Sequence, residues 1–193
     1  MMEALKIKSA KRLRQGQLAK LVDENPMVTD EELASFLEVS VSTVRLDRAL
    51  MGVPELRERI RRMAQEAGSK LRSLSRSEIV GDLLELEPNH WALSVLRTTR
   101  EMAFRTTDFL WDHYIYAQAS SIAVAVIEAA AVIVDSMRGE YKGHARVGDV
   151  LIARAKVGTS KDDRYIVSVR TRVREKEIFV GRFIAEVLNT EMS

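Results

Sequence analysis

The chain has 193 residues, 46% of them hydrophobic and 30% charged, which suffices for one large domain or two small ones with a packed core. It contains no cysteine, which excludes disulfides, thiolate metal sites and a cysteine nucleophile. The best candidate for a membrane span, Ile122 to Ile127, is far shorter than the roughly 20 residues required, so no membrane partner is expected. We expect a cytoplasmic protein, and the sequence predicts no metal and no cofactor.

Basic residues are concentrated in two segments, although the formal net charge is only +2. The first segment carries Lys6, Lys8, Lys11, Arg12, Arg14 and Lys20. The second segment carries Arg57, Arg59, Arg61 and Arg62. Basic segments that flank a helical unit attract a phosphate backbone, so Lys11, Arg12 and Arg57 are predicted to contact DNA. Charge runs are also usual on solvated helix faces, and this alternative stays open.

Residues 1–52 have the pattern of three helices. The first helix should end at Asn25-Pro26, because proline disfavours helical geometry in the residue before it. Thr29 and Glu32 have the spacing of a capping box that starts a second helix. Ser40 is a good N-cap for a third helix, Val41 to Leu50. Two short helices joined by a short turn predict a helix-turn-helix DNA-binding domain, with a generic helical hairpin as the alternative.

The third of these helices carries four polar residues that suit DNA reading: Ser42, Thr43, Arg45 and Arg48. Arginine binds guanine bidentately, and hydroxyls hold phosphates or base edges, so these four are the predicted DNA-reading residues. Two residues complicate the prediction. Glu38 occupies a turn position where many such motifs have glycine. Asp47 has the charge to form a salt bridge with one of the arginines, which would then not contact DNA.

Residues 53–75 are predicted to form an amphipathic linker helix. Pro54 suits the first turn of a helix. Its apolar stripe consists of Leu56, Ile60, Met63 and Ala67. A stripe this narrow is typical of a helix that packs against one partner, either across a dimer or on another domain. A surface helix of a single globular domain is the alternative.

Residues 76–193 combine strands with one long buried helix. The predicted strands are Ile79–Leu86, Trp91–Leu96, Val132–Tyr141, Val150–Val157, Tyr165–Val173 and Ile178–Val187. The predicted helix runs from Asp108 to Ile127 and ends almost wholly apolar, which indicates burial. A mostly antiparallel sheet wrapped around a long helix is the hot-dog architecture, so the fold class is α+β with a helix-turn-helix domain in front.

Five stretches together make the chain resemble the repressor family that controls bacterial fatty-acid and phospholipid biosynthesis and senses malonyl-coenzyme A. They are TDEELASFLEVSVSTVRLDR from Thr29, VPELRERI from Val53, VGDLLELEPN from Val80, YAQASSIAVAVI from Tyr116 and GRF from Gly181. The resemblance covers nearly the whole chain. It implies a homodimeric repressor that binds double-stranded operator DNA at an inverted repeat and is released by an acyl-coenzyme A effector in its hot-dog domain.

The chain departs from the family in the ligand site that this resemblance implies. Phe104 keeps the family's aromatic residue, but Trp111 and Asp112 replace an Arg-Gly pair whose arginine holds the malonyl carboxylate. Ser120 replaces an asparagine. A ligand carboxylate would meet Asp112 without a compensating arginine, so the effector is predicted to be an uncharged acyl-thioester rather than malonyl-coenzyme A.

Two other functions stay open. A hot-dog thioesterase needs a carboxylate as base or nucleophile, and Asp108, Asp112 and Glu128 are available, with Asp112-His113 as the best pair. Neighbouring residues on a helix point about 100° apart, however, so this pair need not share a site, and no catalytic residue is predicted. A DNA-binding protein without a ligand is the other alternative, because Trp111 is large enough to fill a pocket.

Overall fold

Helices build the first part of the chain in the computed structural model, which describes the backbone of residues 2–188 and the side chains of residues 10–188. They are α1 (Met2–Glu24), α2 (Asp30–Phe36), α3 (Val41–Met51) and α4 (Leu56–Ser69). The C-terminal end of α1 and the starts of α2 and α3 agree with the predictions. Helix α4 starts two residues after Pro54, so that proline precedes the helix rather than lying in its first turn.

The chain divides into two compact units, Met1–Met63 and Ala64–Ser193. The division falls inside α4, so the predicted linker segment 53–75 contributes residues to both units. The first unit has a small core of buried apolar side chains: Leu18, Val22, Val28, Leu33, Ala34 and Val44. These residues come from α1, α2, α3 and the turn before α2, and their packing holds the three helices together as one domain.

The second unit is a sheet of six antiparallel strands with one long helix. The strands are β1 (Asp82–Glu87), β2 (Trp91–Arg97), β3 (Val132–Tyr141), β4 (Val150–Lys161), β5 (Arg164–Val173) and β6 (Lys176–Val187). Their order in the sheet is β1-β2-β4-β5-β6-β3, so β1 and β3 are the edge strands. Helix α5 (Asp112–Ala125) packs against β2, β4, β5 and β6. The predicted α+β hot-dog fold is confirmed.

The core of this unit lies between α5 and one face of the sheet. Ile115, Ala119 and Ile122 of the helix are fully buried, as are Phe179 and Phe183 of β6. The two phenyl rings need space on the neighbouring backbone. Glycines supply it at one paired position, Gly139 on β3 opposite Gly181 on β6. A Cβ atom at either glycine would lie within 3.0 Å of the Phe179 ring.

Two predicted starts are wrong by three or more residues in this unit, and β4 runs to Lys161 rather than ending at Val157. The first strand starts at Asp82 rather than Ile79, because a short 3-10 turn, Arg76–Glu78, and a left-handed Gly81 precede it. Helix α5 starts at Asp112 rather than Asp108. Phe109 and Leu110 instead form isolated β-bridges with Arg146 and Ala103, so their backbone groups already have partners outside the helix.

Candidate nucleic-acid interface and effector pocket

Side-chain caps define the geometry of the α2–α3 pair. The Thr29 hydroxyl accepts a hydrogen bond from the Glu32 amide at 3.1 Å, and the Glu32 carboxylate accepts from the Thr29 amide at 2.8 Å. The predicted capping box is therefore confirmed. The Ser40 hydroxyl accepts from the Thr43 amide at 3.2 Å, as predicted for the start of α3. Between the helices Glu38 has a φ of 53°, so a non-glycine residue holds the left-handed conformation of the turn.

The start of α3 presents hydroxyls and one arginine to solvent. Ser42 is exposed and Thr43 half-buried, and both hydroxyls lie within 2.9 Å of the Ser40 hydroxyl. The Arg45 side chain is 64% exposed and has a 3.4 Å contact with Asp30 and a 4.0 Å contact with Glu31. An exposed pair of this kind contributes little to stability, so the Arg45 guanidinium is free to exchange its partner for a base or a phosphate.

Arg48 is placed differently from the prediction. It is only 8% exposed, and its guanidinium donates to both carboxylate oxygens of Asp30, at 2.7 and 2.9 Å, and to the Val53 carbonyl. Burial raises the pKa of Asp30, but the hydrogen bonds and charges of Arg48 and Arg45 outweigh it and lower that pKa below its ordinary value. Arg48 therefore holds α3 against the start of α2 and is not presented to DNA.

Asp47 also forms an ion pair, but not with an arginine of α3. It is 1% exposed and accepts hydrogen bonds from Arg14 at 2.7 Å and Gln15 at 2.9 Å, both on α1. Burial raises the Asp47 pKa, and these bonds together with the charges of Arg14 and Lys11 lower it further than burial raises it. The ion pair between Arg14 and Asp47 holds α1 against α3 and leaves Arg45 of α3 exposed.

The predicted phosphate contacts differ in accessibility. Arg12 and Arg57 are exposed, and Lys11 is half-buried. The side chains of Lys6 and Lys8 lie outside the described residues. Among the other bases near Pro54, Arg61 and Arg62 both bind Glu58. These contacts leave the exposed Arg57 as the base of this cluster that best fits a phosphate contact.

Arg59 is a structural residue that sequence reasoning did not distinguish from its neighbours. It is 7% exposed, and its guanidinium donates to the carbonyls of Pro26, Val28 and Pro54 at 2.6–2.9 Å. Burial lowers the pKa of Arg59 from its ordinary value. Nothing in a run of alternating charges shows which arginine meets the carbonyls of a preceding turn, because that depends on how the helix docks.

The second unit contains a cavity of about 360 Å³ beside the start of α5. It is lined by Phe104, Thr106, Thr107, Phe109, Leu110, Asp112 and His144. Of the four predicted ligand residues, Phe104 and Asp112 line this cavity. Trp111 and Ser120 do not line it. Apolar and hydroxyl side chains with one acid suit an uncharged acyl group better than a carboxylate.

Trp111 precedes the first residue of α5 and is 44% exposed. Its ring packs against Phe104, with centroids 5.4 Å apart, and edge-on against His113 at 5.2 Å. The indole therefore covers one wall residue of the cavity instead of occupying the cavity. Ser120 lies further along α5, where it is half-buried.

Arg146 lies beside this cavity, and sequence reasoning missed it. Its guanidinium carbon lies 4.2 Å from the centre of the Phe109 ring, and Phe109 lines the cavity. Arg105 is exposed, and its carbonyl accepts a hydrogen bond from Arg100. Arg138 lies on β3 and does not line this cavity. The contact with Phe109 joins two loops distant in sequence, which explains why spacing gave no signal for it.

The candidate catalytic pair is not assembled. The His113 ring packs between Trp111 and Tyr114 rather than against the Asp112 carboxylate. Asp108 is paired with Arg100 at 3.2 Å.

The residues that the structure describes contain no cluster of three metal-ligating side chains. Within the same residues, no helix has the length and apolar character to cross a membrane.

Comparisons with known proteins identify close relatives along nearly the whole chain. It is 38% identical to "Transcription factor FapR" of Thermoanaerobacter sp. (strain X514), over 96% of this chain and 92% of that protein. It is 38% identical to the protein of the same name from Geobacillus thermodenitrificans, over 92% of this chain and 90% of that one. The FapR of Staphylococcus haemolyticus is 36% identical over 93% of this chain and 95% of its own. No protein-family model matches the chain.

Solved structures with low sequence identity share the fold. Cj0977, described as a sigma28-regulated virulence protein from Campylobacter jejuni, superposes with a TM-score of 0.63 at 22% identity, covering 68% of this chain and 94% of its own. The zebra fish thioesterase superfamily member 2 gives a TM-score of 0.51 at 16% identity, covering 55% of this chain and 80% of its own. At these identities the similarity concerns the hot-dog architecture alone.

Proposed function

The chain belongs to the FapR family of transcription factors, and we propose that it represses genes of fatty-acid and phospholipid biosynthesis by binding an inverted-repeat operator as a homodimer. As a bacterial-type repressor it would act in the cytoplasm, where the operator DNA is. The proposal has three parts, which concern DNA reading, dimerisation and the effector.

The observation that supports DNA reading is the start of α3. Ser42 and Arg45 are exposed there, Thr43 is partly so, and the capped N-terminus of the helix carries a partial positive charge that favours phosphate. This matches the geometry in which the first residues of a recognition helix contact base edges in the major groove. The exposed bases Arg12 and Arg57, with Lys11, would contact the flanking phosphates.

The observation that supports dimerisation is the edge strand β3. One side of this strand pairs with β6, and the other side has no strand beside it within residues 2–188. It exposes three large apolar side chains, Ile133, Met137 and Tyr141, each between 37% and 46% accessible. An exposed edge with apolar side chains is a template for a further strand. A second copy that pairs antiparallel along β3 would continue the sheet and cover these side chains.

The cavity beside α5 supports an acyl-thioester effector with an uncharged acyl group. Asp112 contributes the one charged side chain among the described lining residues, and Phe104, Phe109 and Leu110 contribute apolar surface. A malonyl carboxylate would meet a like charge there, whereas an acetyl or longer alkyl chain would pack on the aromatic rings. The thioesterase alternative receives no support from the geometry, because Asp112 and His113 are not joined.

Selection of bound sequences from a random DNA pool tests the proposed function. We expect the full-length protein to enrich an inverted repeat whose two half-sites are about one helical turn apart, as the symmetry of a dimer requires. The same selection with Arg45→Ala serves as the control, since it should lose the base preference. Enrichment of no sequence, or of an unrepeated one, would contradict the proposal.

A further inference from the structure

A second concave site lies on the opposite face of the sheet from α5. It is a groove of about 480 Å³ to which four polar side chains contribute: Arg138, Glu140, Ser168 and Arg182. Strand alternation places it on the outer face, because Arg182 is exposed between the buried residues Gly181 and Phe183 of β6. None of the residues that line the cavity beside α5 lines this groove.

The strand register places cations directly beside one another in this groove. Arg182 of β6 lies opposite Arg138 of β3 on one side and Ser168 of β5 on the other. Ser168 in turn lies opposite Lys156 of β4. The four residues therefore form one row across four neighbouring strands. Like charges directly opposite each other in a sheet are destabilising, so a groove of this kind gains stability when an anion binds between them.

Two other arginines on the same face are compensated, but those of the groove are not. Arg170 pairs with Glu177 at 3.2 Å, and the Arg154 guanidinium lies 5.0 Å from the centre of the Trp91 ring. The side chains of Arg138 and Arg182 form no ion pair or hydrogen bond within the described part of the chain. Glu140 lines the groove without pairing with either of them. Two arginines of the groove thus face one carboxylate, and Lys156 adds a third cation to the same row of the sheet.

We propose that this groove binds the phosphate monoester group of a small phosphorylated ligand, such as a nucleotide. A phosphate monoester carries about −1.5 to −2 charges at pH 7, which matches an excess of two positive charges. Two guanidinium groups supply planar forks of donors for its oxygens, and the Ser168 hydroxyl supplies a further donor. A phosphodiester of DNA carries a single charge and would leave one cation of the row uncompensated.

Calorimetric titration of the full-length protein tests this site. The probes are inorganic phosphate, adenosine 3′,5′-bisphosphate and sulfate, at pH 7.5 and pH 5.5. The second pKa of a phosphate monoester is about 6, so we expect nucleotide affinity to fall about fourfold at the lower pH. Inorganic phosphate has a higher second pKa, so its affinity should fall further. Sulfate, whose charge does not change between these pH values, is the matched control and should show no such loss. Nucleotide binding at least tenfold tighter than phosphate identifies a nucleotide as the source, and equal affinities identify free phosphate.

Two substitutions that each remove one positive charge distinguish phosphate binding in the groove from general electrostatic attraction to the protein. Arg182→Gln should weaken phosphate binding at least tenfold, whereas Arg172→Gln, an exposed arginine on β5 outside the groove, should change it less than twofold. Without ligand, Arg182→Gln should keep or raise the melting temperature, because it removes the repulsion with Arg138. This readout shows that the variant is folded.

Three results would overturn the proposal. They are no phosphate binding by the unmodified protein, equal binding by Arg182→Gln, and displacement by random duplex DNA with no effect of pH. Operator binding is measured separately through α3, so failure of this site leaves the proposed function untouched.

Discussion

Arg45 and Arg48 lie three residues apart on one helix and have opposite environments. Arg45 is 64% exposed, whereas Arg48 is enclosed by Asp30 and the Val53 carbonyl. In an α-helix residues three apart are neighbours on the surface, so the sequence pattern alone assigns both to one face. The difference arises because the Asp30 carboxylate of α2 meets the guanidinium of Arg48 bidentately. The two arginines therefore have separable roles, which single substitutions reveal.

Replacing Arg45 with alanine should weaken operator binding by about 1–3 kcal/mol, if it makes a bidentate contact with a base. The fold should be unaffected, since the exposed pair with Asp30 is worth little. Fluorescence anisotropy with operator and random duplexes of equal length measures both affinities. Equal losses on the two duplexes would identify Arg45 as a phosphate contact. Unchanged binding to both would mean that α3 is not the reading helix.

Arg48→Ala should act on stability instead. It leaves the largely enclosed Asp30 carboxylate without its main donors, and losing a hydrogen-bonding partner of a charged group typically costs about 2–3 kcal/mol. Chemical denaturation of this variant beside Arg45→Ala measures the difference, with the Arg45 variant expected to change by less than about 0.5 kcal/mol. Equal unfolding free energies for the two variants would show that the ion pair contributes nothing.

Helix α1 combines an anchor and a charged arm within a single element. Arg14 and Gln15 bind the buried Asp47, and Leu18 is fully buried in the core of the first unit. Arg12 is exposed instead. An element of this kind stabilises the domain through one part and attracts phosphate through another, so the two functions can be tested without deleting the helix.

The double substitution Lys11→Gln and Arg12→Gln should flatten the salt dependence of DNA binding. Each phosphate contact that is lost reduces the slope of log affinity against log salt by roughly 0.9. Lys20→Gln, an exposed lysine paired with Glu24 on the same helix, is the control and should leave the slope unchanged. An unchanged slope in the double variant would identify this part of α1 as a solvated face.

The start of α5 decides which acyl group the effector pocket accepts. Asp112 lines the cavity and brings a negative charge, so malonyl-coenzyme A should bind more weakly than acetyl-coenzyme A. A buried charge without a partner costs about 2–5 kcal/mol, and 1.4 kcal/mol corresponds to a tenfold change in affinity. Asp112→Asn should recover part of the malonyl affinity and leave acetyl affinity unchanged. Titration calorimetry with both thioesters measures the four values.

Tight malonyl binding by the unmodified protein would contradict this prediction. In that case Arg146, which lies over the Phe109 ring, is the cation to remove next, and Arg146→Gln should abolish the binding. Trp111→Arg combined with Asp112→Gly should create a malonyl response. Its failure would show that the sequence positions were matched wrongly to the family's ligand site.

At the scale of the whole molecule, the sheet ends in an edge strand that is apolar and exposed. Strand β3 pairs with β6 over its full length on one side, and its side chains Ile133, Met137 and Tyr141 are exposed. A long unprotected edge favours pairing with another chain unless charge or proline blocks it. The symmetric partner for such an edge is a second copy of the same strand.

Met137→Asp should therefore shift the protein toward monomer, because it places a charge in the proposed interface. Light scattering over a range of concentrations measures the dissociation, which we expect to become at least tenfold weaker. Ser160→Asp on the exposed end of β4 introduces the same charge away from this edge and is the control. A monomer in the unmodified protein at micromolar concentration would rule out the interface, and with it the inverted-repeat operator.

Local sequence determined the elements of this protein and the way most of them begin. The capping residues Thr29, Glu32 and Ser40 specify helix starts through bonds that span three residues, so their roles can be deduced from spacing. Strand β3 has the bounds that alternation and turn residues predict. The family that five stretches of the sequence resemble is also the family of the relatives, which are 36–38% identical over 92–96% of the chain.

Tertiary structure alone decided which charged side chains are free to bind DNA or a ligand. Arg48, Arg59 and Asp47 look like surface charges in the sequence, yet each is buried against a partner 5–33 residues away. The same holds for Arg146 at the cavity and for Arg138 opposite Arg182 in the groove. The physical reason is that burial and ion pairing depend on how elements dock, which brings together residues far apart in sequence. Periodicity reports only the neighbours along one helix or strand.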